Sequence, residues 1–241
     1  MILLLQLILA HLSGDFLLQP SVWVAAKERR RIQAWQLYLH GAIHGLLILI
    51  ISARVDYWPL ALLVASTHLL IDGVKLSLQN ERNKRALFFW DQAAHFLSIF
   101  LIWVFFYGFP WQFSPARQQY LLILLVGVVA LTMPASIAIK TFISRWQPGL
   151  SATEQADSPL DLERAGKYIG YIERLLTFIF LLTGHWAAIG FLITAKSIFR
   201  FGDLTKGKER QLTEYVLIGT LLSFGTAIVV GLGCQYLLQL L

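Results

Sequence analysis

The sequence contains one cysteine, Cys234, in 241 residues. A disulfide framework within the chain is therefore excluded, as is a zinc site built on several thiolates. Charge is scarce as well: 14% of residues are charged, where a soluble domain carries about 25%. The basic residues outnumber the acidic ones, 20 to 14, but they gather in no single patch, which argues against a nucleic-acid partner. The first residues, MILLLQLILA, have no basic segment ahead of them and run into HLSGDF, so no cleavable signal peptide is expected. Polar linkers are almost missing. Only 147–159 (QPGLSATEQADSP) reads as a flexible polar stretch, and no repeat relates the chain on its two sides.

What is present in abundance is apolar sequence. Hydrophobic residues make up 57% of the chain and the mean hydropathy is +0.63, arranged as long runs broken by short basic clusters. This is the pattern of an all-α, polytopic transmembrane helix bundle. About eight hydrophobic helices are expected, over roughly 1–19, 32–53, 57–79, 85–109, 116–146, 160–182, 185–201 and 209–240. Pro134 is expected to kink the fifth. The domain reading is an N-terminal membrane half (1–146), a linker (147–159) and a C-terminal three-helix half (160–241). Lys27, Arg29, Arg30 and Arg31 fall in one inter-helix turn, Arg82, Lys84 and Arg85 in another, and Lys206, Lys208 and Arg210 in a third. Turns of the opposite parity hold only Arg54 and Arg117. By the positive-inside rule the basic turns face the cytoplasm and both termini lie outside, in an inner (cytoplasmic) membrane.

Five of the six histidines fall between positions 11 and 95, in four pairs of one spacing. His11 and Asp15, His40 and His44, His68 and Asp72, and Asp91 and His95 are each four residues apart. Four residues is about one helical turn, so each pair shares one face of its helix. Counted from the cytoplasmic ends, Asp15, His40, Asp72 and Asp91 form one layer. His11, His44, His68 and His95 form a second, about 6 Å deeper at ~1.5 Å rise per residue. Ionised carboxylates inside a membrane cost several kcal/mol unless paired or metal-bound. Imidazole with carboxylate is a ligand set for zinc, manganese or iron. All eight residues are therefore candidate ligands of a divalent metal, zinc first. Asp15 and Asp91 are the candidate general bases, and Gln19, Lys75 and Gln92 the candidate supporting groups. The metal-free alternative is a His/Asp proton pathway.

In the second half, Glu173 and Arg174 sit inside a helix, Lys196 and Arg200 are four apart, and Glu214 opens the last helix. They read as structural ion pairs and as a basic pocket for a phosphate-bearing head group, two roles that can coexist.

The chain resembles an uncharacterised bacterial integral-membrane family, a domain of unknown function. The residues that carry the likeness are HLSGDFLLQ (from His11), HGAIH (from His40), HLLIDGVK (from His68) and DQAAH (from Asp91), with GYIERLL, AKSIFRF and EYVLIGTLLSF in the second half. The resemblance implies an inner-membrane location and supplies no activity. More distantly, the first half looks like membrane-bound metal-dependent hydrolases predicted from intramembrane His/Asp pairs, a likeness at the level of fold.

Three functions follow as expectations. The first is a metal-dependent membrane hydrolase that uses one or two divalent ions on a lipid-like or phosphorylated amphiphile. The second is a metal-ion or proton transporter that uses the same cluster. It is disfavoured because the outer halves of these helices carry few polar residues. The third is a non-catalytic membrane component that docks a cytoplasmic partner. A homo-oligomer is compatible with each.

Overall fold

A computed structural model describes residues 1–108, 117–146, 160–198 and 207–241, and among these every regular element is helical. In chain order they are α1 (Ile2–Leu12), a π-helical turn (Ser13–Leu17), α2 (Ser21–Arg30), α3 (Trp35–Ser52), α4 (Trp58–Leu78), α5 (Lys84–Tyr107), α6 (Arg117–Ala130), α7 (Met133–Ile143), α8 (Leu160–Leu182), α9 (Trp186–Ile198) and α10 (Gly207–Gln239). The boundaries follow local chemistry. Proline opens α4 and α7, where its missing N–H costs nothing. Gly108, at φ 66°, ends α5. Gly184, at φ 76°, ends α8 as the amides of Gly184 and His185 donate back to Leu181 and Phe180.

Membrane-length helices are fewer than the eight expected. Among the described residues five stretches are long and apolar enough to cross a bilayer: Trp35–Ser52, Val55–Leu78, Lys84–Phe106, Arg117–Trp146 and Glu214–Gln239. A sixth is gained if Ile2–Leu17 and Ser21–Gln33, bent by 84°, count as one. The reasons are physical. α9 has only 13 residues. α8 is long enough, but Asp161, Glu163, Arg164 and Lys167 crowd its first half. Arg117–Trp146 still counts as one span, interrupted at Leu131–Thr132 just ahead of Pro134.

The chain divides into two compact units, Met1–Val129 with Leu241, and Ala130–Leu240. In the first, α1 packs on α3 and α5, α3 on α4, and α4 on α5. Eight of the eleven residues of α1 are buried, as expected of a helix that is apolar all round. Its Leu3, Leu7 and Ala10 meet Ile48, Leu60, Ala61, Val64, Ile99, Ile102 and Trp103 in one core cluster. The outward faces expose Leu46, Ile50, Leu62, Leu70, Leu97 and Phe105, an apolar surface suited to lipid.

The α3–α4 seam uses small residues. Gly41 and Gly45 of α3 lie against Ala61, Ala65 and Leu69 of α4, and a Cβ on Gly45 would sit 3.4 Å from the Ala61 carbonyl oxygen and 3.4 Å from the Ala65 Cβ. Close backbone approach of this kind is how helices associate where no hydrophobic force separates protein from lipid.

The basic run after Pro20 is a helix rather than a turn. α2 turns away from α1 and is fastened to the end of α4. The Arg31 guanidinium donates to the carbonyls of Leu76, Ser77 and Gln79, which α4 leaves unsatisfied at its C-terminus. Arg31 adopts φ 54° to do so, an uncommon conformation for a residue with a Cβ. Glu28 accepts from Gln79 (3.2 Å) and Lys84 (2.7 Å).

In the second unit, α10 packs on α7 and α8, and α9 on α8, around Leu131, Phe178, Leu181, Phe224 and Ala227.

The seam yields a test. Gly45→Leu places a branched side chain against Ala61 and Ala65. It is expected to lower stability by about 1–3 kcal/mol, read as a shift in the SDS-induced unfolding midpoint of the detergent-purified protein.

Candidate metal centre

The four-residue pairs do meet. His11, His40, His44, His68, Asp72, Asp91 and His95 are each no more than 4% exposed, and the Asp15 side chain is 9% exposed. Helices α1, α3, α4 and α5 each turn one pair inward. The residues do not form two separate layers, however. Asp15 lies at the centre and takes contacts from both. Its Oδ1 is 3.1 Å from His40 Nε2, 3.0 Å from His44 Nε2 and 3.4 Å from His68 Nε2. Its Oδ2 is 3.9 Å from His11 Nε2. The rings of His44, His68 and His95 stack at 3.7 Å and 4.0 Å between centroids.

The π-helical turn Ser13–Leu17 presents Asp15 to this cluster. Such turns are rare, and they recur at functional sites. Gly14, inside the turn, allows it to approach α3: a Cβ there would lie 2.5 Å from both Nε2 and Cε1 of His44. Only a residue without a side chain fits.

A chain of hydrogen bonds fixes protonation. The Gln92 amide nitrogen donates to Asp15 Oδ2 (3.0 Å) and Asp91 Oδ2 (3.2 Å). Its oxygen must therefore accept, and it faces His11 Nε2 at 3.3 Å. His11 thus carries its proton on Nε2, and its Nδ1 holds a lone pair. That Nδ1 is buried with no hydrogen-bond partner, as are His40 Nδ1 and Asp91 Oδ1. Orphaned buried acceptors of this kind call for an explanation. A metal ligand whose other ring nitrogen is tied down has this arrangement.

Two cations sit among the carboxylates. Lys75, from α4, donates to Asp91 Oδ2 at 2.7 Å and not to Asp72 on its own helix. Lys27 donates to Asp72 Oδ2 at 2.7 Å. Sequence reasoning missed Lys27, because it belongs to a basic run that reads as an inter-helix turn. At 6% exposure it is buried, which α2 makes possible by bending back over the bundle. On the opposite side His95 Nε2 is 3.4 Å from Asp72 Oδ1 and 3.4 Å from Asp91 Oδ1.

Ligand atoms from three groups come within 4.8 Å of one another and could hold a metal ion: His11, Asp15, His44 and His68; His40, His68 and Asp72; and Asp72, Asp91 and His95. A cavity of about 10 Å³ lies beside them, lined by His11, His44, His68 and His95 with Leu7, Val64 and Ile99. That is room for about one water. Gln19 is half-buried beyond the π-helical turn and is not part of the cluster's hydrogen-bond network.

The second-half residues resolve differently. Glu173 pairs with Lys196. Arg174, 3% exposed, spends its donors on the protein: the carbonyls of Leu131 and Thr132 at the α6–α7 break, and the hydroxyls of Ser136 and Ser223. It caps a broken helix, as the structural reading expects. Glu214 is exposed on α10, and Arg200 lies outside the described residues.

The fold and cluster define an all-helical protein with membrane-length apolar helices and a buried His/Asp/Lys centre. Residues 3–122 match the model of a family described as a protein of unknown function, DUF3307. The match covers the four motif-bearing helices and stops short of the second-half segments, and it carries nothing of the likeness to metal-dependent hydrolases. No curated protein matches the chain, and no solved structure does.

The close approach at Gly14 has a measurable consequence. Gly14→Ala must displace His44 and is expected to cost about 1–3 kcal/mol. Gly73→Ala on α4, whose added Cβ meets nothing within 4 Å, is expected to be neutral or to gain up to about 1 kcal/mol. Thermal unfolding of the two variants in the same detergent separates the outcomes.

Proposed function

We propose that the protein is a divalent-metal-dependent membrane hydrolase acting on a lipid-like or phosphorylated amphiphile. The observation that carries this reading is the convergence of five buried imidazoles and three buried carboxylates from four helices, with donor atoms left over after hydrogen bonding. A bound divalent ion would lower the pKa of a water to near neutral, zinc being the metal this N/O donor set favours. Asp91, whose Oδ1 accepts no hydrogen bond, serves as general base, and Gln92 holds it in place. Lys75 has the most open side chain of the cluster's two cations, 23% exposed, and marks the side from which a phosphate group approaches. The inner-membrane location and the cytoplasmic facing of this end belong to the same proposal and rest on the basic residues gathered there.

Transport through the same cluster is the weaker reading. Beyond the imidazoles, Leu3, Leu7, Ile48, Leu60, Val64, Ile99 and Ile102 pack into one apolar cluster, which favours a closed site over a conduit.

The test uses detergent-purified protein and an alkyl phosphate presented in micelles. Phosphate release is expected to require a bound divalent metal, to stop on chelation and to return on zinc addition. His44→Ala is expected to abolish both metal and turnover. Turnover that survives chelation or this substitution would overturn the reading.

A further inference from the structure

We infer that the cluster takes a single metal ion, at Asp15 with His11, His44 and His68, and that Lys27 and Lys75 stand where a second ion would otherwise be needed. This rests on the metal-binding reading above and sharpens it, since three overlapping donor groups leave the number and place of ions open.

Charge decides between the groups. Asp72 and Asp91 each give one oxygen to an ammonium at 2.7 Å. A dication between them would face two fixed positive charges across a low-dielectric interior, where such repulsion is strong. Asp15 has no ammonium or guanidinium among its contacts. Its partners are imidazoles and the Gln92 amide. It is the one carboxylate of the three without an ammonium in direct contact, although Lys75 acts on it at longer range.

The totals agree. Three carboxylates and two ammonium groups sum to −1 before any imidazole takes up a proton. One divalent ion brings the centre to +1, and two would bring it to +3 inside a membrane, which no other group in the cluster offsets.

Geometry points to the same place. Ligand atoms bound tetrahedrally at 2.0–2.1 Å stand about 3.3 Å apart. His44 Nε2 and His68 Nε2 approach Asp15 Oδ1 at 3.0 Å and 3.4 Å. His11 is held by Gln92 with one ring nitrogen free of partners. His40 donates to the same Asp15 oxygen, so it orients the carboxylate as a positioning residue. The lysines thus do the electrostatic work of a second metal without its chemistry. They also remain the groups able to exchange a carboxylate for a phosphate oxygen.

Elemental analysis of the full-length, detergent-purified protein tests this after zinc loading and desalting. One zinc per chain is expected. Asp15→Asn is expected to bring it to zero, whereas Asp72→Asn and Asp91→Asn each keep one. The double variant Lys27→Met/Lys75→Met, if it remains monodisperse on gel filtration, is expected to rise to two. Two ions in the unmodified protein would overturn the single-site assignment and leave the hydrolase proposal standing. So would zinc that survives Asp15→Asn but is lost with Asp72→Asn. Absence of zinc, manganese and iron from the unmodified protein overturns both.

Discussion

Everything in the first unit answers to the cost of holding three carboxylates away from water. An ionised acid in a medium of low dielectric is tolerated only when another charge, a metal or a full set of hydrogen bonds compensates it. Here compensation comes from separate directions. Lys75 reaches Asp91 from α4, Lys27 reaches Asp72 from α2, and imidazoles from α1, α3 and α4 surround Asp15. None of these pairings lies within a single turn of helix except His11–Asp15 and Asp91–His95. The acids are satisfied only when α1 to α5 are assembled, so the polar centre and the helix packing depend on each other.

Packing that close needs small residues at chosen places. The spacing of Gly41 and Gly45 repeats that of His40 and His44, one residue along. One turn of α3 therefore presents imidazoles to the centre and bare backbone to α4. The glycines bring α4 near enough for His68 to stack on His44. Gly14 does the same for α1, where the His44 ring fills the space a side chain would take. The polar cluster is thus surrounded by positions that have lost their side chains to make room for it.

Much of this could be read from the amino acids. A repeated spacing of four survives any uncertainty in helix ends, so the meeting of the four His/Asp pairs was accessible from sequence, as was an all-helical, membrane-length architecture. What was hidden lay in departures from regular geometry. A π-helical turn has no residue signature, so regular helical spacing puts Asp15 in a layer with His40, where the structure puts it at the centre. Lys27 sits in the run KERRR, whose composition is that of a solvated turn, and only the bend after Pro20 sends it inward. The number of spans was overread for a related reason. Hydrophobic runs do not reveal that α9 stops after 13 residues, or that the first run bends by 84° beyond Leu17.

The fastening of α2 has a further implication. This helix is held by Arg31 and Glu28 to the last turn of α4 and the start of α5, and it delivers a cation to the interior. Peripheral and central parts of the protein are thereby mechanically linked. Any partner or lipid that pried this segment loose would withdraw a positive charge from Asp72 and leave an uncompensated acid among the imidazoles. The state of the centre is in that sense legible at the protein's edge, through a lever ten residues long.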